Sequence, residues 1–366
     1  MKTGKTMQEF AVEVARQSEA KTDYVANTAS VTVIPKDHGL SLSLPGVEGE
    51  FEVRDLAHGQ IAEHAKIPQQ YYNRMRGEAP ELLANNVETW FKKYPAPKML
   101  RMLDGKNRAF LSNSFRPLDN FDFAKVILEA CSDRRLEVVS CEVTERRMYV
   151  KAIDKREFQV PVGYKMGDGS HRIFDVCCPV FIAMNSEVGY GRLTLETGVY
   201  TKACTNLAWF ADGGMRRTHL GSRFQVAEAT GVENIDHLLS ARTKQKSDEA
   251  LWLQLRDVLK AGFDETRTKR RVQQLAEAAE QEIPGQVDKV VKLAAERFGL
   301  SDREGDSVLN HLIRGGQLSK YGLHAAITRA AQDVDDYDRA TELEYLGGRV
   351  VELPRADWQS LLVEAA

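Results

Sequence analysis

The sequence predicts an α+β fold, in which an antiparallel sheet core with packed helices is followed by an all-helical C-terminal domain. Segments that alternate apolar and polar residues, as half-buried strands do, are concentrated before residue 225. From about Val232 onward the apolar residues instead recur at helical spacing. We therefore expect two domains, an α+β core over residues 1–230 and a mostly helical domain over residues 231–366.

The first hundred residues combine short strands with helices. Alternation predicts the strands, and proline in the first turn of two segments supports the helices. In chain order we expect strands at 30–34, 40–44 and 50–55, then helices at 59–65, 68–76 and 80–94.

The middle of the chain is rich in strands. The dipeptide Asp104-Gly105 stands between two apolar segments and predicts a two-residue hairpin turn. Asp119 or Asn120 is the expected N-cap of a helix at 121–130. The remaining elements expected here are strands at 136–143, 148–153, 173–184 and 192–200, and a short helix at 206–211.

Helical signals dominate the C-terminal part. Ser301 and Glu304 form a capping box at the start of one helix. Apolar residues from Leu323 to Val334 follow the spacing of another long helix. The other elements expected here are helices at 238–261, 267–282 and 287–298, a strand at 349–353 and a turn around residue 358.

The composition excludes membrane, secreted and fibrous classes of protein. The 366 residues carry a net charge of −3, which also excludes a globally basic, histone-like binder. No apolar stretch approaches the ~18 residues that cross a bilayer, and no secretory signal opens the chain. Five cysteines, an odd number, indicate reduced thiols and a cytoplasmic protein. Residues 101–224 contain 19 Lys/Arg against 15 Asp/Glu, so the middle is mildly basic.

No segment of the sequence fits a known motif for catalysis or cofactor binding. Gly4-Lys5-Thr6 lacks the preceding strand and the earlier glycine of a phosphate-binding loop. Cys177 and Cys178 are adjacent, so on a strand they point to opposite faces and cannot share a tetrahedral metal ion. The sequence therefore predicts no cofactor and no metal ion, and nothing in it favours an enzyme.

The pattern of residues 60–74 predicts a helix, a turn and a second helix, as in a DNA-binding helix-turn-helix motif. The second helix would offer polar side chains to a groove, namely Gln69, Gln70, Asn73 and Arg74. A plain packed helical pair explains the same pattern.

The last sequence pattern is a set of basic side chains interleaved with aromatic ones. This combination holds single-stranded nucleic acid, because cations follow the phosphates and rings stack on bases. The nearby aromatic residues are Tyr149, Tyr190, Tyr200, Trp209 and Phe210. The candidate nucleic-acid-binding residues are Arg116, Arg146, Arg147, Lys151, Tyr190, Arg192, Lys202, Arg216, Arg217 and Arg223. The alternative is that the rings belong to the core and the arginines only keep the surface polar.

Four segments carry a resemblance to a known family. They are residues 58–90, 110–120 (FLSNSFRPLDN), 185–209 with its ACTN at 203–206, and 321–348 with GLHAAIT and EYLGG. In this order they resemble the phage and plasmid-like proteins grouped as domain of unknown function 932. The resemblance implies a mobile genetic element as context and implies no particular activity. The order of helix, hairpin, strands and helix is also similar to the β-β-β-α core of single-strand annealing proteins, which form rings around a basic groove.

These observations lead to three functional hypotheses. The first is a cytoplasmic single-stranded DNA-binding protein of a phage or plasmid that anneals strands in recombination, without nucleotide hydrolysis, as a homo-oligomer and away from membranes. The second is a protein–protein effector, such as a counter-defence protein, that works through its acidic segment 333–344. The third is a duplex binder that uses Gln69, Gln70 and Arg74.

Overall fold

A computed structural model describes residues 1–165, 171–202, 206–217 and 240–365. Antiparallel sheets with packed helices precede a region of helices alone, which confirms the predicted α+β class. The expected domain boundary at 230/231 lies outside the described residues.

Two small antiparallel sheets and four helices build the N-terminal part. The strand orders are β1-β5-β6 and β2-β3-β4, and a shared core contains Leu42, Ile61, Tyr72, Phe91 and Leu100. The Asp104-Gly105 turn joins β5 to β6 as predicted. The elements are α1 (Met7–Ala20), β1 (Lys21–Asn27), β2 (Thr32–Lys36), β3 (Gly39–Ser43), β4 (Phe51–Glu52), α2 (Asp55–Ala65), α3 (Gln69–Glu78), α4 (Pro80–Lys93), β5 (Pro97–Leu103) and β6 (Lys106–Ser112).

A six-stranded antiparallel sheet forms the centre of the molecule. Its strands follow helix α5 (Asn120–Asp133) and are β7 (Glu137–Val143), β8 (Met148–Ile153), β9 (Phe158–Lys165), β10 (His171–Asn185), β11 (Leu193–Thr201) and β12 (Asn206–Arg217). The order is β12-β11-β10-β8-β7, and the long β10 also pairs with β9. Because side chains alternate along a strand, Met148 and Val150 of β8 face one core, whereas Tyr149 and Lys151 face the other side.

In the described residues 240–365, seven helices pack on the sheet and on each other. They are α6 (Ala241–Gly262), α7 (Glu265–Ala279), α8 (Val287–Phe298), α9 (Asp302–Gly315), α10 (Lys320–Ala330), α11 (Tyr337–Glu352) and α12 (Arg355–Ala365). The predicted capping box of Ser301 and Glu304 opens α9. Leu255 of α6 joins the core that contains Phe123 of α5, while α11 covers the opposite face of the sheet through Tyr337. In the described part of the chain, no helix is both long and apolar enough to cross a bilayer.

Two glycines allow α11 to lie directly against its neighbours. A Cβ on Gly348 would stand 2.2 Å from the backbone oxygen of Trp209 in β12. A Cβ on Gly347 would stand 2.4 Å from Cγ2 of Thr328 in α10. The Gly-Gly pair therefore fixes α11 between β12 and α10.

Three predicted elements are wrong. The turn expected around residue 358 lies inside helix α12 (Arg355–Ala365). The helix expected at 206–211 is part of β12, where Leu207 and Trp209 pack in one core and Ala208 and Phe210 in another. A strand that is buried on both faces reads as a continuous apolar run, which periodicity does not distinguish from a buried helix. The strand expected at 349–353 is the end of α11, because burial of its valines outweighs their preference for strands.

Candidate nucleic-acid interface

An open groove of about 520 Å³ lies between the central sheet and α11. We call it the arginine groove, because five arginines line it: Arg147, Arg192, Arg216, Arg339 and Arg349. The first three are among the residues predicted from the sequence, and the other two are not. The groove therefore joins part of the basic middle of the chain to the acidic C-terminal half.

The sheet positions three of these arginines at its β8–β11–β12 side. The backbone N–H of Arg147 donates to Thr144 Oγ1 (2.9 Å), and Nη2 donates to the carbonyl of Tyr190 (2.9 Å). Arg192 is exposed just before β11. Arg216 lies opposite Thr194 in the β11–β12 ladder.

Helix α11 supplies the second wall. Arg339, Glu342, Leu346 and Arg349 all line the groove, and their spacing of three, four and three residues places them on one helix face. Arg339 and Arg349 are ten residues apart, which is ~15 Å along the helix axis. Arg339 donates to both carboxylate oxygens of Glu304 (2.7 and 2.8 Å). The guanidinium of Arg349 lies over the ring of Phe298, with 5.6 Å to the centroid.

The groove has more positive than negative groups. Three carboxylates also line it, and each is held by a partner. Glu196 accepts from Arg216 Nε (2.8 Å), Asp338 accepts from the hydroxyl of Tyr149 (2.5 Å), and Glu342 accepts from Arg339 (3.1 Å). The hydrogen bond that Arg216 donates to Glu196 raises the pKa of Arg216, so this guanidinium stays charged while its side chain remains 57% exposed. An arginine has five N–H donors, so such a partner orients it and leaves donors for a ligand.

Tyr190 lies beside the groove and is 42% exposed. The guanidinium of Arg146 lies over the ring of Tyr190, 5.3 Å from the ring centroid. The backbone carbonyl of Tyr190 accepts a hydrogen bond from Arg147. Of the five aromatic residues predicted as stacking candidates, Tyr149, Trp209 and Phe210 are buried and Tyr200 is half-buried. The core interpretation therefore holds for these three buried rings.

Lys151 requires a correction. Its side chain is fully buried, and Nζ donates to Glu344 Oε2 (2.6 Å) and to Thr341 (3.3 Å). The other oxygen of Glu344 accepts from the backbone N–H of Lys2 (3.0 Å). Because a buried ammonium that is bound to a carboxylate cannot reach a phosphate in solvent, Lys151 does not belong to the nucleic-acid-binding set.

The remaining predicted cations do not line the groove. Arg116 forms an ion pair with Asp248 (2.6 Å), and Lys202 pairs with Glu157. Arg217 ends β12, and its side chain is not among those described. Arg223 lies outside the described residues.

The predicted helix-turn-helix segment does form two helices. Lys66 ends α2 in the left-handed conformation (φ 53°), and α3 begins three residues later. The polar residues of α3 are exposed, with Gln69 donating to Asn73 (2.9 Å) and Arg74 to Glu78 (2.9 Å).

The acidic segment of the effector hypothesis is partly buried. Glu344 is inaccessible and Asp338 is 6% exposed, and both carboxylates have partners within the protein. Two of its acidic side chains are therefore not available on the surface.

Among the described residues, no group of three or more His, Cys, Asp or Glu could hold a metal ion. What the geometry offers is an open, guanidinium-lined groove beside an exposed tyrosine ring. Compared with protein-family models, with curated proteins and with solved structures, the chain matches none of them.

Proposed function

We propose that this protein binds single-stranded DNA along the arginine groove and anneals strands in the recombination of a phage or plasmid, without hydrolysing nucleotides. The observation that carries this proposal is the convergence of five arginines on one open groove. They come from the turns before β8 and β11, from β12 and from α11. Guanidinium groups suit this task, because their planar forks bind phosphate oxygens in pairs.

The aromatic ring beside the groove favours a single strand over a duplex. Proteins that bind single strands without sequence preference combine a positive groove with rings on which the unpaired bases stack. Tyr190 supplies such a ring, and Arg146 holds it from one side. In a duplex the bases are already stacked on each other and are not available to this ring.

For its biological context the proposal relies on the sequence resemblance alone. Its EYLGG segment belongs to α11, which forms one wall of the groove and contains the two glycines at the helix contacts. We include in the proposal a mobile genetic element as the source, a cytoplasmic location and a homo-oligomeric state, as in annealing proteins.

Fluorescence anisotropy of a labelled single strand, at several salt concentrations, tests the proposal. If Arg147, Arg192, Arg216 and Arg349 each neutralise one phosphate, log K should fall with log[salt] with a slope of about −3. The charge reversal Arg192→Glu should weaken binding and make the slope shallower by at least ~0.7. The matched control is Arg303→Glu, an equally exposed arginine on α9 outside the groove, and it should bind as the wild type does.

A flat salt response would contradict the proposal, as would equal weakening by the two reversals. An unlabelled random duplex should compete poorly, since its phosphates are present but its bases are paired.

The exposed face of α3 supports a second candidate, which is sequence-specific binding of a duplex. In the same assay this function requires that one duplex binds more tightly than random duplexes at fixed salt. Arg74→Ala should then weaken that duplex selectively and leave single-strand binding unchanged.

A further inference from the structure

A second cavity, of about 970 Å³, lies where the turn between α2 and α3 meets the C-terminal end of α4. We call it the aromatic pocket. Trp90 and Tyr94 line it as a stacked pair, with centroids 5.8 Å apart and planes within 7° of each other. Tyr71 lies across from the α4 pair on α3 and is 49% exposed, while Tyr94 is 61% exposed. Exposed rings grouped around a cavity are typical of a binding site rather than of a solvated surface.

The charges around the pocket favour an anionic ligand. Lys66 and Lys93 line it, and no carboxylate is among the described residues that do so. Lys93 Nζ is 5.2 Å from the ring centroid of Trp90, so the positive charge lies next to the stacked rings. Burial lowers the pKa of His64, which also lines the pocket, to about 4, so its ring is neutral at neutral pH. The pocket thus combines flat apolar walls with two lysines at its rim.

Helix α2 connects this pocket to the arginine groove. Gln60 Nε2 donates to the carbonyl of Val188 (2.8 Å), which belongs to the turn that carries Tyr190. His64 follows Gln60 by four residues, so it lies on the same helix face one turn, or ~5.4 Å, further along. The aromatic pocket therefore begins about one helical turn beyond the contact that anchors the Tyr190 turn.

We propose that the aromatic pocket is a base-binding subsite, which accepts an unpaired base of a strand whose phosphates lie in the arginine groove. This inference rests on the function proposed above. A base would stack on the rings of the pocket while Lys66 and Lys93 bind the adjacent phosphates. Aromatic grooves also bind proline-rich peptides, but a rim with two lysines and no carboxylate suits an anionic strand better.

Two oligomers of equal length separate base stacking from phosphate binding. One is an oligothymidylate, and the other is its abasic counterpart, which has the same phosphates and no bases. We expect both to bind in a salt-dependent way, but only the oligothymidylate should quench tryptophan fluorescence. Trp90→Phe should remove most of that quenching, because Trp209 and Trp358 are buried and Trp252 is half-buried against the core between α5 and α6.

A pair of exposed aromatic residues provides the variant and its control. Tyr94→Ala should weaken oligothymidylate binding about 5- to 100-fold and leave the abasic oligomer unaffected. Phe121→Ala removes a ring of similar exposure on α5, outside both sites, and should change neither. Both variants should keep the melting temperature of the wild type, since neither ring is buried.

The outcomes separate this inference from the proposed function. Salt-dependent binding without quenching, with Tyr94→Ala equal to the wild type, would overturn the subsite and leave the arginine groove as the binding site. Quenching by a proline-rich peptide, with none by oligothymidylate, would overturn it in favour of a peptide pocket. Failure of both oligomers to bind at low salt would overturn the proposed function and the subsite together.

Discussion

The buried ion pair of Lys151 and Glu344 should contribute to the stability of the fold and not to the binding of single-stranded DNA. Its two residues lie on β8 and α11, and both side chains are fully buried. Lys151→Met removes the charged donor to Glu344 Oε2 and leaves the backbone N–H of Lys2 on the other oxygen. Removing one partner of a buried pair costs ~3–5 kcal/mol, because the other charge stays buried without compensation. We expect Lys151→Met to lower the free energy of unfolding by that amount.

The double variant Lys151→Met/Glu344→Leu should lose less than either single variant. Apolar replacement of both partners removes the uncompensated charge, and such replacements are often neutral. What remains is the unsatisfied N–H of Lys2, which costs ~1–3 kcal/mol. The two single losses should therefore be strongly non-additive, with the double variant at ~1–3 kcal/mol.

Urea denaturation of the four proteins in the cycle measures these energies. The surface variant Lys155→Met is the control, because its side chain is 69% exposed, and it should change stability by no more than ~0.5 kcal/mol. The salt slope of single-strand binding should be the same for Lys151→Met and the wild type. Additive losses, or single losses below ~1 kcal/mol, would refute this reasoning, and a shallower slope would return Lys151 to the phosphate contacts.

Three further results follow from single positions. Gly348→Ala places a methyl group 2.2 Å from the backbone oxygen of Trp209, so it should destabilise the fold by ~1–3 kcal/mol or more and lower the melting temperature. Gly105→Ala meets no neighbouring atom but retains a φ of 70°, so strain alone should cost ~1–2 kcal/mol in the same melting experiment. Burial lowers the pKa of His58 to about 3 and that of His324 to about 4, so below about pH 6.5 the unfolded state binds protons that the folded state does not. Stability should therefore fall by up to ~1.4 kcal/mol per pH unit for each histidine as the pH drops from ~6.5 towards those values, and a urea midpoint that is equal at about pH 7 and pH 5 would contradict this.

Local signals predicted the elements that depend on local chemistry. The Asp104-Gly105 turn has positive φ at both residues, which is the reason that this dipeptide favours a two-residue hairpin. The capping box at Ser301 satisfies backbone N–H groups within one helical turn and needs no distant partner. The same signal at Thr6 and Glu9 opens α1, which is not among the predicted helices although its capping box is readable in the sequence.

Two features depend on long-range packing and were not predictable from local sequence: the strand at 206–211 and the burial of Lys151. Leu207 and Trp209 are in a strand because both faces of β12 are covered, and that depends on helices more than a hundred residues later. The alternation of β8 shows that Lys151 faces away from Val150, but it does not show that α11 covers that face.

The groove was predictable only on its sheet side. Arg147, Arg192 and Arg216 were found through the basic composition of the strand-rich middle. Arg339 and Arg349 lie in a segment with many carboxylates, so the composition of that segment does not indicate a basic surface. Their one-face spacing with Glu342 and Leu346 was the available signal, but only the docking of α11 turns that face into a wall.

The two-walled construction of the groove has a consequence for synthesis on the ribosome. The last strand of the sheet ends at Arg217, and α11 begins at Tyr337, roughly 120 residues later. At a synthesis rate of ~5–20 residues per second, α11 is synthesised about 6–24 seconds after the sheet is complete. Until then the groove lacks its second wall. During this time α11 does not yet cover the face that holds Tyr149 and Trp209, so the nascent chain exposes apolar surface. If the arginine groove binds a strand as proposed, the protein acquires this affinity only near the completion of the chain, and prematurely terminated products lack it.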